Sequence, residues 1–474
     1  MAIFSGDIFA KQYVISSSVT NVTIGSVSGS TAFGDSGDDT HQFTGSLFIS
    51  GSRIDLDDGN KNVALGTQGV ALTTGIQNIL VGSDSGDALT SGARNVAIGV
   101  STLSTATTAG MNVAIGQSAM EGVASGVALE GAIGIGKDAL TAINSTDANY
   151  TIAIGYQAGK AITDGQYNTI MGYQAAATMT TGNSNVIIGY NAGNDTNGQN
   201  AVIIGKDAGN DGSGVSNSVV IGTTAGAVVN GENATAVGYQ AMKVATEPDN
   251  TAVGAYALQA LVTGENNTAL GIAAGYRIDK GDESTFLGWY AGFNATGSYN
   301  TFVGSQAGEG GTSSAPYSSG VDNTAVGYQA LTAFTTGQRN TAIGKGSLDS
   351  LTTGDQNTAL GRSSLPALTT GDNNVGLGMD AGLLTTEGNH NIYIGTEAGA
   401  YNTTGDELIL IGYRAGYAIN HASDADGTVA IGYEAGKLIT SGIGNVAIGY
   451  QALDAEDDGD FNTAIGYQAL SAQT

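Results

Sequence analysis

The stretch Asn462-Thr463-Ala464-Ile465-Gly466-Tyr467-Gln468-Ala469-Leu470 decides the fold, because it is one copy of a phrase that recurs through most of the chain. Aligning the copies on the glycine of this phrase gives 24 anchors, from Gly66, Gly82 and Gly99 to Gly432, Gly449 and Gly466. Of the 23 intervals between anchors, 14 are 17 residues, five are 16 and four are longer. Self-similarity at a fixed short period marks a stacked architecture. Seventeen residues are too few for a helical hairpin repeat and suit one coil of a β-solenoid or β-roll.

Comparison of the copies position by position gives the physics. Three before the anchor every copy has Val, Ile or Thr, and one before it every copy has Ile, Leu, Val or Met. Alternate positions on a strand share a face, so these two predict an inward, branched stripe. The residue between them is also apolar: Ala in 13 copies, Gly in two (Gly134, Gly376) and larger in nine, among them Ile170, Ile187, Ile203, Phe286 and Phe302. A strand apolar on both faces is covered on both faces. One slim coil has one interior, so this middle residue is expected to face a second chain, and a homotrimer is the expected assembly. Three after the anchor Ala fills 19 copies, implying a tight corner, and four before it Asn fills 16. Asn suits a turn entering a strand and can bond to its copies along a stack. Thr-Thr-Gly phrases such as Thr352-Thr353-Gly354 mark a further turn.

The expectation is therefore an all-β fold: a β-solenoid of about 24 coils with a ~17-residue repeat. At about 4.8 Å per coil it makes a rod on the order of 115 Å. Residues 61–474 form this shaft, with longer loops at 117–131, 137–151, 308–321 and 416–427. Residues 1–60 do not repeat and read as a small β adaptor, with a strand pair at Phe43-Thr44-Gly45-Ser46-Leu47-Phe48-Ile49-Ser50.

Composition narrows the function. Glycine supplies 75 residues and proline 3, far from collagen, and 41% of residues are hydrophobic, against a disordered chain. A net charge of −27 repels phosphate, so nucleic acid is not an expected partner. There is no cysteine, hence neither disulfides nor thiolate metal sites, and no basic-then-apolar leader is read at the start. No apolar run reaches transmembrane length. Histidine occurs only at His41, His390 and His421, too sparse for a metal cage; His421 shares a loop with Asp424 and Asp426. Asp195, Asp211 and Asp457 sit in Asn/Gly-rich turns, but the Gly-Gly-x-Gly-x-Asp calcium pattern is missing. Gly134-Ile135-Gly136 is repeat geometry, with no helix pattern after it to cradle phosphate. No acid pair can be placed for hydrolysis, so the chain is read as no enzyme, with no catalytic, cofactor or metal residue named. Tyrosine follows the anchor in nine copies, for example Tyr156, Tyr328 and Tyr450, with Trp289 once. Such a ladder either stacks on sugar rings or is buried at a chain interface.

The phrase at 462–470, Leu351-Thr352-Thr353-Gly354, Ser28-Gly29-Ser30-Thr31-Ala32-Phe33-Gly34-Asp35-Ser36 and His41-Gln42-Phe43-Thr44-Gly45-Ser46 resemble the repeats of phage tail-fibre proteins, especially marine ones. The Val-Ala-Ile-Gly core (96–99, 446–449) is also similar to the head repeats of trimeric autotransporter adhesins. Those have shorter coils, a signal peptide and a membrane anchor, features not read here. Both resemblances imply trimers, extracellular exposure and attachment. The expected function is a virion fibre: residues 1–60 bind a virion or baseplate protein, and the shaft projects toward a host surface receptor such as a polysaccharide. The rivals are a bacterial adhesin or filament subunit, a tailspike enzyme, and an ice-binding solenoid. The last is suggested by threonine three before the anchor in eight successive copies, Thr235 to Thr358. Val or Ile at that position elsewhere argues for an inward face and against ice. The final copy is expected to be covered by a partner or by a chaperone domain removed after assembly, since a bare last coil leaves strand edge open.

Overall fold

The computed structural model describes residues 60–66, 72–211, 215–228, 232–311, 316–419, 426–455 and 458–471. The expected adaptor, its strand pair, His41, His421, Asp424 and Asp457 lie outside these residues. Each triplet before an anchor is a strand, from β1 (Val63–Leu65) to β24 (Thr463–Ile465). Each pairs in parallel with the strands one coil before and after it, so Thr341↔Thr358, Ala342↔Ala359 and Ile343↔Leu360 are neighbours. The result is one 24-stranded parallel sheet with a coil of turns behind every strand. Longer intervals do not disturb it. Thr301 still pairs with Thr324 across the 308–321 insertion, and the insertion at 137–151 adds a single 3-10 turn, Thr146–Ala148.

The faces of the strand are the reverse of the expected ones. The middle residue points into the coil and is fully buried, as at Leu80, Ala97, Phe286, Ala342 and Tyr393. The branched residues on either side face outward and are half-buried or exposed, Leu270 at 47% and Leu360 at 43%. The reason is a volume balance inside each coil. In all nine coils whose middle residue is larger than alanine, the residue six further on is Gly or Ala: Ile187 with Gly193, Phe286 with Gly292, Tyr393 with Gly399. Where the middle residue is Ala or Gly, that position can hold Leu or Met, as in Ala97/Leu103, Ala114/Met120 and Ala342/Leu348. Both side chains fill one small interior. A Cβ on Gly292 would sit 2.3 Å from the Phe286 ring, and one on Gly308 2.4 Å from that of Phe302. Interiors close-packed in this way exclude the alternative of two large residues.

The corners are held by backbone. The anchor itself must be glycine: Gly155 has φ 142, and a Cβ there would lie 2.2 Å from the carbonyl oxygen of Gly172. Non-glycine residues also take left-handed φ at fixed places in the coil, such as Leu140 (54), Gln157 (55) and Tyr167 (57). Each such residue costs about 1 kcal/mol, but each donates its N–H to the adjacent coil. Leu140 N–H donates to Ala158 O (3.2 Å), Gln157 to Lys137 O (2.9 Å) and Tyr167 to Asn149 O (3.3 Å). The inter-coil ladder thus continues around the turn instead of stopping at the strand.

Along the interior the expected asparagine stack forms. Asn374 Nδ2 donates to Asn357 Oδ1 (3.0 Å) and to Gly388 O (2.7 Å), and its backbone N–H donates to the same Asn357 oxygen (2.9 Å). Asn357 repeats the pattern on Asn340 and Gly371. These side chains are buried, and each donor has an acceptor, which is the condition for burying amides. Tyr393, the one fully buried tyrosine among the described residues, follows the same rule: Asn402 Nδ2 donates to its Oη at 2.5 Å, with Thr385 Oγ1 at 3.4 Å.

Candidate interaction surface

The outward side of the sheet presents two columns: the β-branched residue three before each anchor, which is Val, Ile or Thr, and the aliphatic one just before it. Neither is fully covered by the described residues. Exposed members run the length of the shaft: Ile79, Ile98, Met171, Leu287, Leu377. A strip three residues wide and 24 coils long measures about 10 by 115 Å, on the order of 1,000 Å². Monomeric proteins rarely leave a contiguous apolar patch above about 600 Å², and a standard interface uses about 800 Å² per partner. By both measures the strip has the dimensions of an interface.

The threonine column from Thr235 to Thr358 lies on this same outward side. The inward face inferred from its Val and Ile counterparts does not hold. Beside the strip, the residue after the anchor forms aromatic columns. Tyr156, Tyr173 and Tyr190 stack at 5.0 and 5.2 Å, and Tyr413, Tyr433, Tyr450 and Tyr467 at 5.3, 5.0 and 5.2 Å. Their rings are exposed within the chain. Lys206 lies over Tyr190 and Lys345 over Tyr328, at 5.8 and 5.7 Å from the ring centroids.

Two arginines are clasped by aromatic rings. The Arg414 guanidinium sits 5.0 Å from both Tyr413 and Tyr417, and its Nε donates to Glu397 Oε2 at 2.6 Å. Arg277 sits 5.0 Å from both Tyr276 and Tyr317, the latter reaching it from the 308–321 insertion. Its Nε is shielded and has no hydrogen-bond partner. Around it Tyr256, Ile272, Tyr276, Tyr290 and Phe293 line an open groove of about 340 Å³. This cluster was not found in the sequence: Tyr276 and Phe293 occupy a corner position that elsewhere holds Ala177, Asn194 or Lys243, and only that departure from the repeat signals it.

Other residues singled out earlier stay apart. His390 is a corner residue whose N–H donates to Asp372 O. Asp426 accepts the Asp406 backbone N–H at 2.7 Å, a stacking role. Asp195 and Asp211 lie in separate coils, and no group of three or more His, Cys, Asp or Glu able to hold a metal occurs among the described residues. Glu434 receives Lys437 Nζ at 2.8 Å and Gln451 Nε2 at 3.0 Å; chiefly the lysine holds its carboxyl below the usual range. Burial pushes the Tyr393 phenol up. Among the described residues no helix is long and apolar enough to cross a membrane. No family model matches the chain, and no curated protein matches it.

Proposed function

We propose that the protein is a non-catalytic structural fibre of a phage virion that attaches the particle to its host's surface. In this reading residues 1–60 join a virion or baseplate protein, and the solenoid projects as a homotrimer. The observation that carries it is the outward aliphatic column just before the anchor, half-buried or exposed and continuous over 24 coils. A rod that must stay intact outside a cell gains from a contact spread along its whole length, because stability in stacked repeats is otherwise only nearest-neighbour. Three chains meeting along that strip leave the turns, loops and acidic corners facing outward, where a receptor can reach them. The resemblance of the repeat phrases to those of tail-fibre proteins supports the same assignment. Immunogold labelling of particles from the source population tests it: label is expected on thin projections, and label confined to cell envelopes would favour the adhesin or filament reading instead.

One observation favours a second reading. The eight outward threonines from Thr235 to Thr358 form a regular hydroxyl column on a parallel sheet, which could order water for ice binding. Thermal hysteresis of the purified protein decides it; a freezing point equal to the melting point removes this reading.

A further inference from the structure

The two clasped arginines differ in one respect. Arg414 lies between two tyrosines with a carboxylate, Glu397, on its guanidinium. Arg277 lies between two tyrosines at the same 5.0 Å distances, forms no ion pair among the described residues, and keeps a shielded Nε without a partner. An unpaired buried donor is unfavourable by itself. A guanidinium held rigid and unanswered in a chain of net charge −27 is a place where an outside anion can bind.

The surroundings specify what the anion is attached to. Tyr276 and Phe293 lie parallel at 4.9 Å with 4° between their planes, and Tyr290 and Phe293 at 4.4 Å with 9°. Rings stacked on one another cover faces of each other and together give the open groove a rigid apolar wall, which suits the C–H face of a pyranose sugar. The cluster occupies only a few coils, unlike the apolar strip, so it does not read as part of a contact between copies that repeats along the rod. The insertion that supplies Tyr317 is the longest interval in the shaft, 23 residues, and it departs from the repeat where the groove is built.

We propose that this groove binds an acidic saccharide, with the sugar carboxylate on the Arg277 guanidinium, which lines the groove, and a pyranose ring against the wall made by Tyr276, Tyr290 and Phe293. The proposal deepens the attachment reading and rests on it for its biological sense. A reporter lies beside the groove, since Trp289 is the single tryptophan of the chain and its ring lies 4.3 Å from that of Tyr290, a lining residue.

Titration of the full-length protein with trigalacturonate, followed by tryptophan fluorescence, is the test. A saturable change is expected, with neutral maltotriose binding at least tenfold more weakly. Arg277→Gln and Phe293→Ala are each expected to weaken trigalacturonate binding about tenfold or more. Lys160→Gln, which removes a positive charge elsewhere, should leave it unchanged. The absence of saturation, an Arg277→Gln protein that binds like the parent, or a glutamate peptide binding as tightly as the saccharide overturns the proposal. So does a change in oligomer mass in Arg277→Gln, since the groove would then be covered by a second copy. Particle labelling separates the two levels. Saccharide binding by a protein not on virions removes the fibre and keeps the site, and a virion fibre without saccharide binding does the reverse.

Discussion

At the scale of the residue, the coil interior is a two-position lock. Ala342 and Leu348 share one space, as Phe286 and Gly292 share the equivalent space elsewhere. Ala342→Phe is expected to destabilise by roughly 1–3 kcal/mol through overpacking. Leu348→Gly leaves a cavity costing about 3 kcal/mol, partly relieved because Leu348 sits at φ 50, where glycine is at ease. The double variant recreates a pairing the chain already uses, so it should be more stable than the sum of the single losses by at least about 1 kcal/mol. Urea unfolding of the four proteins measures this coupling. Additive losses would mean that the two side chains do not share a space. The amide stack is equally specific. Asn357→Asp loses the donor to Gly371 O and Asn340 Oδ1 and buries a charge, whereas Asn357→Ala leaves Gly371 O short of a donor and Asn374 short of an acceptor, at about 1–2 kcal/mol. The chain already tolerates Ala at the matching Ala201, whose N–H still donates to Asn185 Oδ1. Hydrogen exchange localised to this coil should therefore rise modestly for alanine and strongly for aspartate.

At the scale of the element, one coil is the unit that can be removed. Deleting residues 341–357 joins Asn340 to Thr358, keeping both the amide stack and the strand register. The shaft should stay folded and shorten by about 4.8 Å. Loss of the circular-dichroism signal at ordinary temperature would show that the period has been assigned wrongly. Strand positions, coil number and the amide stack were legible because a nearly constant period repeats the strand 24 times and its asparagine 16 times. Which side of the strand faces inward was not legible from alternation, since Thr341, Ala342 and Ile343 give no polar face to set against an apolar one. The signal that resolves it is the reciprocal size of Ala342 and Leu348, a relation across six residues and a corner. The Arg277 groove was harder still, because Tyr317 comes from an insertion and meets Tyr276 only when the coils are stacked.

At the scale of the whole molecule, what covers the outward strip decides the assembly. The reversed faces give the two sides of one strand opposite roles. Ala342→Asp places a charge inside the coil and should unfold it locally. Ile343→Asp places a charge on the outer side, where a single chain tolerates it and an apolar interface between chains does not. Sedimentation equilibrium at micromolar concentration, on the parent protein and on a variant combining Val326→Asp, Ile343→Asp and Leu360→Asp, reads this directly. The parent is expected at about 142 kDa, three times the 47.2 kDa chain, and the variant as a smaller species that keeps its β-sheet spectrum. A parent protein that sediments as a 47.2 kDa monomer, with its apolar strip open to water, would contradict the account.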